Sequence, residues 1–130
     1  MRYIIILCFL ALVRCQAQES SASEFSGSLI NGRFWNSSSK DGKMMYVSGA
    51  LDGIRITQQS NGLPDRFPKH STVGDYIKEV DKLYNEGENV KIPVIWAIGY
   101  YVTLKLKGEI KSSELEGTLI ALRKQASALN

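Results

Sequence analysis

The chain has 130 residues, enough for one domain with a sizeable core and too few for two ordinary ones. Of its 16 basic residues, Arg2 and Arg14 fall in an apolar N-terminal leader, which leaves 14 against 13 acidic residues and a net charge of +1 beyond it. That near-balance offers no basic surface, so no nucleic-acid partner is expected; the only cysteines, Cys8 and Cys15, also lie in the leader, so the mature chain has neither a disulfide nor a thiol nucleophile.

Residues 1–17 combine Arg2, an apolar run from Tyr3 to Val13, and small side chains at Cys15 and Ala17, three and one residues before Gln18. This is the pattern of a secretory signal peptide, with cleavage expected after Ala17 and a secreted or periplasmic destination. The run is short of the ~20 residues that span a bilayer as a helix, so no stable membrane span is expected after cleavage. Retention as an anchor and lipidation of Cys15 are the alternatives, the second opposed by Arg14 directly before the cysteine.

Residues 18–28 are small and polar apart from Phe25 and read as a flexible N-terminal segment, followed by a single helical domain over 29–130. Leu29, Ile30, Phe34 and Trp35 recur at helical spacing and predict a short helix from Ser28 to Trp35; no segment shows a strand pattern. Ser38, three residues before Asp41, suits the N-cap of a helix from Lys40 to Gln58, whose Met44, Val47, Leu51 and Ile54 mark one face. A loop punctuated by Asn61-Gly62, Pro64 and Pro68 follows.

Thr72 and Asp75 resemble a capping box for a helix over Val73 to Asn85, with a stripe through Tyr76, Val80 and Leu83 and a stop at Gly87. Pro93 suits the first turn of the next helix, which runs to Gly108 and is apolar on nearly every side, as a central helix should be. Ser113 and Glu116 read as a second capping box, opening a helix from Glu114 to Ala126 with Leu115, Thr118, Leu119 and Leu122 on one face. The predicted fold class is therefore all-α: a compact bundle of four to five helices around a central apolar helix at about 93–107.

Asp52 is the oddly placed residue. On a helical wheel it lies beside Met45, Gly49 and Ile56, away from the Met44–Ile54 stripe, so it is expected to be half-buried on a second non-polar face. A buried acid needs a partner, and Arg33, Arg55, Tyr100 and Tyr101 are the candidates. Gly49 and Gly53, four apart, are expected to let the central helix approach closely, or to open a ligand groove. Trp35, at a helix end beside Asn36, is the aromatic expected to be partly exposed in an interface.

Trp35, Tyr46, Gly49, Asp52 and Gly53 are accordingly the candidate binding residues. His70, the only histidine, sits in the proline-bracketed loop without the companion ligands a metal needs, and neither metal nor cofactor is expected. No Gly-x-Ser-x-Gly elbow accompanies it, and Asp81, Glu86 and Glu88 read as a solvated helix end rather than a hydrolytic carboxylate pair.

The segment Met45-Tyr46-Val47-Ser48-Gly49-Ala50-Leu51-Asp52-Gly53 resembles the Gly-Tyr-x-x-Gly-x-x-Asp helix of the Rap/Tai-type immunity proteins, small exported helical proteins that protect bacteria against effectors of type VI secretion. The order of parts is similar as well: a signal peptide, this helix, a loop with proline, an amphipathic helix, then Ile92-Pro93-x-x-x-Ala97 opening a buried helix. Met45 stands where the motif begins with glycine, and the family's disulfide has no cysteines here. The resemblance implies sequestration of a toxic effector. Three readings follow: an exported protein that binds a protein partner, a small hydrolase using Asp52 or His70, and a structural domain of the cell envelope.

Overall fold

The computed structural model describes residues 24–108 and 110–129, so the expected leader and its expected cleavage site lie outside the described residues. The first described element is a hairpin. β1 (Phe25–Ser26) pairs antiparallel with β2 (Leu29–Ile30), Phe25 facing Ile30, and Gly27 turns the chain at φ 61°. The hairpin takes the place of the helix expected from Ser28 and orders residues 24–28 of the segment expected to be flexible, whose residues 18–23 lie outside the described residues.

Contacts far along the chain explain the change. The Ser26 hydroxyl donates to the Lys91 carbonyl, and Asn31 forms a β-bridge with Pro93, so residues 26–31 are bound to the segment that leads into the central helix. Those hydrogen bonds outweigh the local helical spacing of Leu29 and Ile30. The first helix, α1 (Gly32–Ser37), begins only where the Asn31 side chain accepts the Arg33 N–H at 3.0 Å. Gly32 is required there, because a Cβ would lie 2.3 Å from the buried Tyr84 ring.

The long helix α2 (Lys40–Ser60) is capped by Ser39 rather than Ser38: the Ser39 hydroxyl accepts the Gly42 N–H at 3.1 Å, whereas that of Ser38 turns back to donate to the Phe34 carbonyl. α3 (Val73–Tyr84) starts with the expected capping box, Thr72 and Asp75 exchanging hydrogen bonds of 3.2 and 2.8 Å. Gly87 opens a 3₁₀ turn (Gly87–Asn89) instead of ending α3, whose cap is Asn85. The last helix, α5 (Ser112–Ser127), takes Lys111 as its N-cap with no side-chain bond; Ser113 is already inside the helix, so the Ser113–Glu116 box does not form.

Between α3 and α5 runs the central helix, α4. It is α-helical over Val94–Trp96, π-helical over Ala97–Val102 and α-helical again over Thr103–Lys107, ending at Gly108 with φ 68°. Its buried Val94, Ala97, Ile98, Val102 and Thr103 meet Val47 and Leu51 of α2, Tyr76 and Val80 of α3, and Leu119 and Leu122 of α5 in one core. The fold is thus mostly helical and built around α4, as the apolar pattern implies, and no cysteine occurs among the described residues.

The π segment was not foreseen. The Thr103 N–H reaches back five residues to the Ile98 carbonyl, and the Thr103 hydroxyl donates to the same oxygen at 2.7 Å. Tyr76 of α3 closes the group, its hydroxyl 3.2 Å from that of Thr103. All three groups are buried, so each relies on the others in place of water.

A second polar joint lies between α3 and α4. The nearly buried Glu79 carboxylate meets Lys105 and Lys82, both at 2.7 Å. Burial pushes its pKa up, but the two lysines outweigh burial and hold it below the usual carboxylate value; Lys105, also penalised by burial, is held above its usual value by Glu79. Asp75 is held low by the Thr72 N–H and hydroxyl.

Replacement of Thr103 by Val, which keeps shape but removes the hydroxyl, should destabilise the fold by about 1–3 kcal/mol, because the Tyr76 hydroxyl loses its partner in the core. Adding Tyr76→Phe should recover part of that loss. Urea midpoints of the two variants measure this, and a Thr103→Val change below ~0.5 kcal/mol would show the joint to be dispensable.

Both carboxylates have folded pKa values below their unfolded ones. Their contribution is therefore present above the ordinary carboxylate pKa of about 4 and lost as the pH falls through the folded values. For Lys105 the sign reverses, its contribution fading only as alkaline pH rises through its raised value. Glu79→Gln should lower stability at neutral pH and flatten the acid limb of a urea-midpoint profile; an unchanged limb would remove Glu79 from the acid response.

Candidate functional site

The five candidate residues separate into two groups. Trp35 and Tyr46 meet at a shallow apolar hollow of about 540 Å³ that Phe34 and Met45 help to line. Trp35 is not the exposed aromatic expected at this position: it is 1% exposed, its indole N–H donates to Asp81 at 2.7 Å, and Lys43 both pairs with Asp81 at 2.8 Å and lies over its ring. Burial raises the Tyr46 pKa. Trp35 therefore works as a tie between α1 and α3.

Gly49, Asp52 and Gly53 lie on the outward face of α2. A Cβ at either glycine would meet nothing within 4 Å, so neither admits α4. The Asp52 side chain is 73% exposed, and its one ion-pair partner among the described residues is Arg55, at 4.0 Å, one helical turn on. The expected buried acid is thus a surface acid. Met45 and Ile56, its wheel neighbours, are exposed at 76% and 62%, which shows why the wheel misled: a non-polar face was assumed to be a covered one.

His70 is exposed in a hollow beside Asp75. The Asp75 carboxylate takes the Thr72 N–H and hydroxyl on one oxygen at 2.8 and 2.7 Å, as the cap of α3, and no hydrogen bond joins it to His70 among the described residues. Among the described residues no group of three or more His, Cys, Asp or Glu side chains is placed to hold a metal ion. No helix among them is long and apolar enough to cross a membrane.

Two further concavities lie along α4. Trp96 and Tyr100, one turn apart, stand as a ridge between two grooves. The groove toward α2 holds about 350 Å³ and is walled by Ile54, Phe67 and Ile95, with Gln58 and Arg66 on its lining. The groove toward α5 holds about 470 Å³ and runs past Thr118, Ala121 and Gln125. Tyr100 is half exposed. The ridge straddles the π segment, a widened turn of the kind frequent at functional sites.

The polar side chains lining the first groove are those of Gln58, Arg66, Trp96, Tyr100 and Thr103. Gln58 is 7% exposed; its side-chain oxygen accepts the Arg66 N–H at 3.5 Å, while its NH₂ has no hydrogen-bond partner among the described residues. The Trp96 indole N–H has none either, and the exposed Arg66 guanidinium has no ion pair among them. Arg55, by contrast, lies over the Phe67 ring with Asp65 and Asp52 at 3.9 and 4.0 Å. No Asp or Glu is among the described residues that line the groove.

Trp96 and Tyr100 belong to the helix whose apolar pattern predicts a central, covered place, and neither Gln58 nor Arg66 is among the candidates the sequence offers. A signal was available in Pro64 and Pro68, which bracket Arg66 and Phe67 in a loop that folds back over α3, Phe67 meeting Tyr76 edge-on at 6.2 Å. No family model matches the chain, and neither does any curated protein or solved structure.

Asp52→Ala tests the surface placement. It should change stability by less than ~0.5 kcal/mol in urea denaturation, as ordinary exposed positions do. A loss of ~2 kcal/mol or more would restore the buried pair.

Proposed function

We propose that this is an exported binding protein that engages a protein partner through the Trp96–Tyr100 ridge, with sequestration of a toxic effector as its role. The observation that carries the binding reading is the ridge itself: two adjacent aromatics flanked by grooves, with Arg66 beside them. Trp, Tyr and Arg are the residue types that dominate binding energy when a partner excludes water around them. The grooves offer depth on both sides for partner side chains, and the ridge rests on a helix held from three directions by α2, α3 and α5. Export rests on the leader, and the immunity role on the resemblance of residues 45–53.

The test is affinity capture from envelope and secreted extracts with the chain from Gln18 as bait, set beside two variants. Trp96→Ala with Tyr100→Ala should weaken a stoichiometric partner by at least ~10-fold, as loss of central aromatic anchors does. Met45→Ala with Asp52→Ala, on the outward face of α2, should leave it in place. A partner held equally by the ridge variant would overturn the assignment of the face, and a bait that captures nothing would overturn the protein-binding reading.

A further inference from the structure

Resting on that reading, we infer that the π turn is a one-residue insertion that sets Tyr100 in line with Trp96 and with a third side chain, Leu104, so that the partner meets a straight strip of three residues along α4. The spacing of the covered residues carries this. Val94, Ile98, Val102 and Leu106 all reach the core, and they recur at strict four-residue intervals. At 3.6 residues per turn each such step advances about 40° around a helix, so Leu106 of a regular helix would stand about 120° from Val94, away from the core. The π-helical stretch from Ala97 to Val102 holds one residue more than regular turns would, which takes back about 100° and returns Leu106 to the core side.

Lys105 points the same way. Counted in regular turns it would lie about 20° from Val94, a charge on the core side. The extra residue turns it to the edge of the helix, where it meets Glu79 at 2.7 Å.

The correction acts equally on the opposite side of α4. Trp96, Tyr100 and Leu104 are also four apart, so a regular helix would wind them around its axis, whereas across the π turn they stack in one row. Tyr100 is half exposed, and Leu104, half-buried, is not among the described hydrophobic residues that pack against the core. Three apolar side chains in line give a partner one continuous contact with aromatic anchors in it, the arrangement in which a few residues carry most of the binding energy.

The insertion can be removed without losing a side chain. Gly99 lies within it, and a Cβ there would only touch Ile54, at 3.7 Å. Deletion of Gly99 from the chain that starts at Gln18 should leave α4 a regular helix with its core stripe intact, so urea unfolding stays cooperative with a midpoint close to that of the parent chain. Deletion of Gly49 is the matched control, since a Cβ there would meet nothing within 4 Å either. α2 is regular at that point, and losing a residue turns its two halves out of phase by about 100°, so the cooperative transition should be lost or fall far below the parent's. This comparison needs no partner, and equal damage from the two deletions would overturn the insertion.

Affinity capture then tests the strip. Leu104→Ala should weaken the partner by at least ~5-fold, and the Gly99 deletion should do the same, because Tyr100 leaves the row although every ring remains. A partner held at full strength by Leu104→Ala would overturn the place of Leu104 in the face, and one held at full strength by the folded Gly99 deletion would overturn the alignment. A partner retained by Trp96→Ala with Tyr100→Ala, or no partner at all, would overturn the reading on which the strip rests, while the two deletions would still decide the turn.

Discussion

The Ile98 carbonyl accepts two hydrogen bonds from one residue, the N–H and the hydroxyl of Thr103, and much of the molecule depends on that arrangement. A hydroxyl in a helix interior ordinarily competes with the backbone ladder. Here it reinforces a ladder already shifted by one residue, and Tyr76 joins α3 to the same hydroxyl. The wider π turn that results runs from Ala97 to Val102, at the centre of the core and directly beneath the exposed Tyr100. One buried group thus sets the register of α3 against α4 and supports the ridge.

With no cysteine among the described residues, the helices are joined by packing and by a few polar ties, each at a junction between elements. Trp35, Lys43 and Asp81 join α1, α2 and α3. Glu79 and Lys105 join α3 to α4. The fully buried Asn89 joins the end of α3 to α5: its amide donates to the Leu83 carbonyl, and its oxygen accepts from Arg123 at 2.7 Å. Arg123 is itself surrounded by Glu86, Glu88 and Glu116 at 3.1–3.8 Å, so the acids that read as a solvated helix end serve to hold that arginine in place. These ties add direction to a core whose apolar contacts alone tolerate sliding.

The candidate face moved because the sequence shows composition and not cover. Residues 45–53 carry the motif-like pattern and α2 carries two apolar stripes, but only the Val47 and Leu51 side is covered, while Met45, Gly49, Asp52 and Ile56 face outward. Trp35 is covered and not exposed for the same reason. The helix-end tryptophan is buried and donates to the partly exposed Asp81 on α3, and the tryptophan of the central helix lies partly exposed between two grooves.

What the sequence by itself determined is local or periodic: four of the five helices to within a few residues, the Thr72–Asp75 box, the stop at Gly108, and the central place of the helix that is apolar on nearly every side. Those features depend on neighbours three or four residues away and on the total apolar content of a segment. The hairpin at residues 25–30, the π turn and the two grooves were decided only by tertiary structure. Each depends on partners far along the chain: Lys91 for Ser26, Tyr76 for Thr103, and the divergence of α2 and α5 around Trp96 and Tyr100. A hydrogen-bond partner 65 residues away, or a gap between two helices, leaves no periodic trace, so the grooves became visible only in three dimensions.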